Sequence, residues 1–158
     1  MSDPFDEQIR DYTFGGIDGI TVSLSLLSGL VASGRSIHMI VLGGIISTLS
    51  GALSMGLGDY LAIDSVKERK DVAYLSALRV FMGYLVASSI PLLAYIFIKD
   101  VKSAFRLSLF MSFVALVIFG YVRAQLLNDV ISISIGKTLT IGITTFGITY
   151  QVSKMIPN

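Results

Sequence analysis

The chain has 158 residues and a formal net charge of +1, from 12 Lys and Arg, 11 Asp and Glu, and one His left neutral. With 53% hydrophobic residues, 15% charged residues and a mean hydropathy of +0.76, it does not read as a soluble globular domain, and it shows no basic nucleic-acid footprint. The absence of Cys excludes a disulfide framework and a thiolate metal site, and a single His puts a His-built zinc site out of reach within one subunit.

The N-terminal stretch carries Asp3, Asp6, Glu7, Arg10 and Asp11 where a cleaved signal would be positively charged, so it reads as a mature polar segment. Crossing a bilayer takes roughly 20 mostly apolar residues. The first such run is Phe14 to Ser33, ending at Gly34-Arg35, and the second is Ile37 to Ala62, ending at the charged stretch from Asp64 to Asp71. The third is Val80 to Ile98, with a kink expected at Pro91, and the fourth is Ser103 to Val122. The fifth is placed at Thr138 to Met155, which keeps Lys137 at the interface rather than deep in hydrocarbon. The reading is an all-α, single-domain membrane bundle over residues 1–158, with short loops and no aqueous domain.

An odd number of helices excludes an inverted repeat across the whole monomer, and a homodimer would supply the missing symmetry. The basic residues Lys67, Arg69, Lys70 and Arg79 follow the second run, and Lys99, Lys102 and Arg106 follow the third. This bias leans toward a cytosolic N-terminus.

The third and fourth runs are bland, whereas the first two carry acids among Gly and Ser. At helical spacing Asp18, Thr21, Ser25 and Ser28 form one polar stripe on the first helix. Thr48, Gly51, Met55 and Asp59 form another on the second helix. Small residues such as Gly15 and Gly19 on such stripes often mean only close helix packing, and an acid near a helix start can simply complement the helix dipole. The combination points further. Antiparallel neighbours joined by a short turn would bring Asp18, Met55 and Asp59 to one depth, and intramembrane acids on a polar track mark function. Carboxylates take divalent ions, a thioether adds softness that discriminates against Mg²⁺ and Ca²⁺, and a carboxylate that trades a proton for a metal can couple the two. Asp18, Met55 and Asp59 are therefore the candidate metal ligands, with Thr21, Ser25, Ser28, Thr48 and Gly51 lining the path.

Two segments carry a resemblance. RDYTFGGIDGITVSLSLLSGL (10–30) resembles the opening helix of the vacuolar iron transporter family, and GALSMGLGDYLA (51–62) resembles that family's second-helix signature. The resemblance implies a dimeric five-helix exporter that moves Fe²⁺, and often Mn²⁺, out of the cytosol by proton exchange. It places the family's helix-one acid on Asp18 and its helix-two methionine on Met55. Three departures stand out. Ser47 occupies a position, eight residues before Met55, that is acidic in many members. Ile17 stands where a polar residue is common. The connection after the second run is too short for the Glu-rich metal-binding domain of longer members, so the chain looks like the short branch.

The expectation is thus a divalent metal-ion transporter with no resident cofactor and no nucleic-acid partner. Its substrate is Fe²⁺ or Mn²⁺, and its short loops suit a prokaryotic plasma membrane better than a vacuolar one. The competing expectation is a non-transporting membrane scaffold or assembly subunit. An enzyme is disfavoured, because no nucleophile–base arrangement is visible.

Overall fold

The computed structural model describes the backbone of residues 4–66 and 70–155. Among these residues there are five α-helices and no strands: α1 (Pro4–Ala32), α2 (Ile37–Asp64), α3 (Lys70–Phe97), α4 (Val101–Leu127) and α5 (Ile131–Met155). All five are long and apolar enough to cross a membrane, and the protein is a multi-pass membrane bundle.

The connections explain why the chain turns where it does. Gly34 adopts a left-handed φ of 69°, and the amides of Gly34 and Arg35 bond back to Val31 and Leu30 at 3.0 and 3.1 Å. This is the paired closure that a C-terminal glycine allows. Ser36 then caps α2, accepting from the Met39 amide. Asp100 caps α4 by accepting from the Ser103 amide at 2.9 Å. Asn128, with φ of 48°, ends α4 in the left-handed region, where Asn is among the few non-glycine residues tolerated.

The helices outrun the apolar segments. α1 begins ten residues before Phe14, at Pro4; α3 begins at Lys70 rather than Val80, and α5 at Ile131 rather than Thr138. A helix need not stop where hydrocarbon stops, since its backbone bonds are equally satisfied in water. Lys137 therefore sits inside α5, but its side chain is 57% exposed and reaches Asp129 at 3.5 Å. It stays at the bundle end, as expected for a snorkelling cation. α3 runs through the fully buried Pro91 as one element.

α3 packs most extensively against α1 and next against α2. The α1–α3 seam is made of glycines. A methyl group added at Gly15 would run into the Val80 carbonyl, and one at Gly19 would lie 2.7 Å from the Tyr84 carbonyl oxygen. From the other side, a methyl at Gly83 would lie 2.6 Å from the Tyr12 carbonyl oxygen. Such close backbone approach is how helices associate where lipid offers no hydrophobic drive. Gly56 does the same for α2, lying against Ala77 and Phe81. Apolar clusters fill the rest, with Ile20, Ala87, Ala115 and Leu116 at mid-bundle and Leu27, Ile40, Leu92 and Tyr95 toward the α1–α2 turn. The outer face of α2 is left open, with Leu49, Leu53 and Leu57 all more than half exposed.

Candidate functional site

Asp18 is half-buried on α1. It lines a cavity of about 690 Å³ between α1, α4 and α5, together with Arg10, Thr21, Arg123, Ile141 and Thr145. The glycine seam explains this placement. Gly15 and Gly19 turn one side of α1 onto α3, which leaves Asp18 at the edge of that contact and open to the cavity. Tyr84 of α3, 2% exposed, lies within electrostatic reach of Asp18.

The rest of the α1 stripe divides. Thr21 lines the cavity, and its hydroxyl donates to the Ile17 carbonyl at 2.8 Å. Ser28 is fully buried and donates to the Leu24 and Ser25 carbonyls. The Ser25 hydroxyl is buried and has no partner among the described residues. The hydroxyls of Thr21 and Ser28 are thus engaged with their own helix, which lets polar groups sit in a packed bundle at little cost.

On α2, Thr48 is buried and Gly51, Met55 and Asp59 are half-buried. One oxygen of Asp59, Oδ2, and the Thr48 hydroxyl are buried without a partner among the described residues. Gly51 lies directly against the Tyr84 hydroxyl, so that any side chain there would collide with it. Tyr84 therefore joins α1 to α2, with Gly19 against its backbone and Gly51 against its hydroxyl.

This contact corrects the expected depth. Gly19 meets the Tyr84 backbone, Gly51 meets the Tyr84 hydroxyl and Gly56 meets Ala77 and Phe81. Asp18 is therefore level with Gly51, not with Asp59. At 1.5 Å per residue, Met55 lies about 6 Å and Asp59 about 12 Å nearer the end of the bundle that holds the α1 N-terminus. The backbones of the two acids and of Met55 therefore stand at successive levels along the bundle, like rungs of a ladder. Among the described residues no group of three or more His, Cys, Asp or Glu stands ready to hold an ion. The α2 ligands also do not line the cavity that Asp18 lines. The helix ends were poor rulers because the helices outrun their apolar runs. The tight turn at Gly34-Arg35 is a good ruler, since 18 and 51 are equidistant from it.

Several charged residues near this site carried no such signal. Asp11 is 3% exposed, accepts from Arg10 at 2.9 Å and faces Arg79 of α3 at 3.7 Å. It ties the N-terminal ends of α1 and α3 together. Arg123 of α4 enters the cavity wall and donates to the Ser134 hydroxyl of α5 at 3.3 Å. The RD pair was visible in the sequence, but nothing in the spacing of Arg79 or Arg123 announced these partners. Outside the membrane-spanning segments, the Val130 amide, followed by Lys137 and Arg123, holds the Asp129 carboxyl below the ordinary aspartate range. The Ser103 hydroxyl and amide do the same for Asp100. His38 is exposed beside the α1–α2 turn.

Comparison with known proteins adds to this geometry. The profile of the VIT family matches residues 9–73 and 64–154, two parts that meet at the α2–α3 connection. Vacuolar iron transporter 1 of Oryza sativa subsp. japonica is 23% identical, over 95% of this chain and 86% of that protein. Vacuolar iron transporter homolog 4 of Arabidopsis thaliana is 24% identical, over 94% of this chain and 83% of that protein. The alignment with the rice protein runs over 216 residues and that with the Arabidopsis protein over 165, against 158 in this chain. The rice protein thus carries residues without a counterpart here. The rice protein is named an iron transporter and the Arabidopsis protein a homolog of one.

Proposed function

Because this chain belongs to the VIT family, we propose that it carries divalent metal ions across its membrane, Fe²⁺ first and Mn²⁺ second, out of the cytosol and in exchange for protons. The observation that carries the reading is Asp18, a half-buried carboxylate inside a membrane-spanning helix, on the wall of a cavity and level with the α2 stripe that bears Met55. An intramembrane acid is costly and is kept where it meets an ion or a proton. The thioether of Met55, about one turn from that level, supports a borderline ion over Mg²⁺ or Ca²⁺. The iron named in the relatives supports the same choice. Asp59, with one buried oxygen that lacks a partner among the described residues, would take the ion a step further along the ladder. Proton exchange follows from the same carboxylates, which must be deprotonated to bind metal. No resident cofactor enters this scheme.

Two further parts belong to the proposal. The N-terminus is cytosolic, supported by Arg10, Arg79, Arg123 and Lys137 at that end, with Lys67 and Arg69 between α2 and α3 and Lys70 opening α3. Two copies pair through the open outer face of α2, where Gly58 has open space beside it and leucines project. The short loops favour a prokaryotic plasma membrane.

The scaffold alternative draws support from the glycine seam, which would hold the helices together whether or not Asp18 bound anything. Uptake of Fe²⁺ and Mn²⁺ into proteoliposomes under an imposed pH gradient separates the two. Gradient-dependent uptake that is lost in Asp18→Asn and Met55→Ala supports transport along this route. Folded protein that moves neither ion would leave the scaffold.

A further inference from the structure

Arg123 lies in the last turns of α4, one residue past the apolar run that ends at Val122. A guanidinium at the end of a span either reaches the surface or faces a polar cavity. It lies on the wall of the cavity that holds Asp18. Its Nη1 donates a long hydrogen bond, 3.3 Å, to the Ser134 hydroxyl, and Asp129 feels its charge from the bundle end. The other guanidinium of the cavity, Arg10, is already engaged with Asp11 at 2.9 Å.

Direction matters here. Helical side chains lean toward the N-terminus of their own helix. α1 and α4 run in opposite senses, with Gly16 lying against the Phe119 ring. Asp18 therefore leans toward the bundle end, and Arg123 leans inward from it. Counted from the Gly16–Phe119 contact, the two Cα atoms are separated along the bundle axis by about 9 Å, which is comparable to the combined reach of an extended arginine and an aspartate.

We propose that Arg123 is the built-in counter-charge of this cavity: it moves between a station at Ser134 and Asp129 and a station at Asp18, where it competes with the metal ion. The inference rests on the metal-transport reading above. Arg123 is on this account a positioning residue. It keeps metal affinity moderate and helps the ion leave, while Ser134 keeps the guanidinium from settling on Asp18. Glu7 and Arg10 of α1 and Lys137 of α5 complete the charged surroundings.

The test is equilibrium titration of the purified full chain with Mn²⁺ in detergent, alongside turnover in proteoliposomes. Removing the competitor in Arg123→Gln should tighten Mn²⁺ binding about fivefold, in the range of ordinary site-to-site coupling, and slow turnover. Removing the resting station in Ser134→Ala should do the opposite and weaken binding. A merely structural role would move both variants in the same direction, so shifts of one sign, or no shift, overturn the proposal. Should Arg123→Gln fail to fold, Ser134→Ala alone decides: weaker binding supports the proposal, and unchanged or tighter binding overturns it. A wild-type chain that binds no Mn²⁺ and moves neither Mn²⁺ nor Fe²⁺ would instead remove the metal-transport reading itself, and this inference with it.

Discussion

The two sides of α1 are built on opposite principles. Toward α3 it presents Gly15 and Gly19, and backbone meets backbone with no room for a methyl group. Toward α4 and α5 it presents Asp18 and Thr21 to a cavity of about 690 Å³. One side is closed by backbone contact, the other open to a polar cavity. Rigid packing on one face lets a costly carboxylate be held on the other, because the helix that carries it cannot shift or tilt away to hide it. Function in such a bundle is read from where packing stops.

The comparison breaks first at the seam. Gly15→Leu forces a branched side chain into the Val80 carbonyl, and the protein is expected to lose its monodisperse peak in size-exclusion chromatography. The open side should behave in the opposite way. Asp18→Asn is nearly isosteric and faces the cavity, so folding should persist while metal flux falls by at least about tenfold. A folded Gly15→Leu or an unfolded Asp18→Asn would reverse the assignment of the two faces.

A smaller effect sharpens the link between them. Gly51→Ala pushes a methyl group against the Tyr84 hydroxyl and should cost about 1–3 kcal/mol, read as a lower thermal midpoint. Tyr84→Phe removes that hydroxyl, so the double variant should recover part of the loss, a coupling that a thermal double-mutant cycle measures. Additive losses would mean that Tyr84 and Gly51 do not meet.

Much of the fold was legible because hydropathy follows from one constraint, that backbone polar groups in lipid must be satisfied within the segment. The five spans follow from that alone. Helix ends were not legible, since Pro4–Thr13 and Ile131–Lys137 are polar or mixed and are tied down by Asp11, Arg79 and Asp129 finding partners. Asp18 stood out at once as an acid in an apolar run. Its level was misjudged by about two turns relative to Asp59, because depth is set by interhelix contacts such as Tyr84 on Gly51. Arg123 was hidden for a simpler reason. A lone arginine near the end of a span reads as a snorkelling anchor, and only the cavity shows what it faces.

The smallest effect lies at the bundle end. The folded-state pKa of Asp129 lies below its ordinary value of 3.8. Its carboxylate therefore contributes stability above that value and loses it as pH falls through the lower folded value. The thermal midpoint of Asp129→Asn should trail the wild type slightly at pH 7, and the gap should close as the pH is taken below 3.8. A gap that persists in acid would assign the loss to something other than the charge.

The ladder itself is tested most directly by titrating Mn²⁺ into the purified chain and counting bound ions by paramagnetic resonance, in wild type, Asp18→Asn and Asp59→Asn. With the two acids about 12 Å apart along the bundle axis, Asp18→Asn should abolish the bound signal, whereas Asp59→Asn should keep the stoichiometry with weaker affinity. Equal and complete loss in both variants would mean that the acids chelate a single ion at one depth, and would contradict the account.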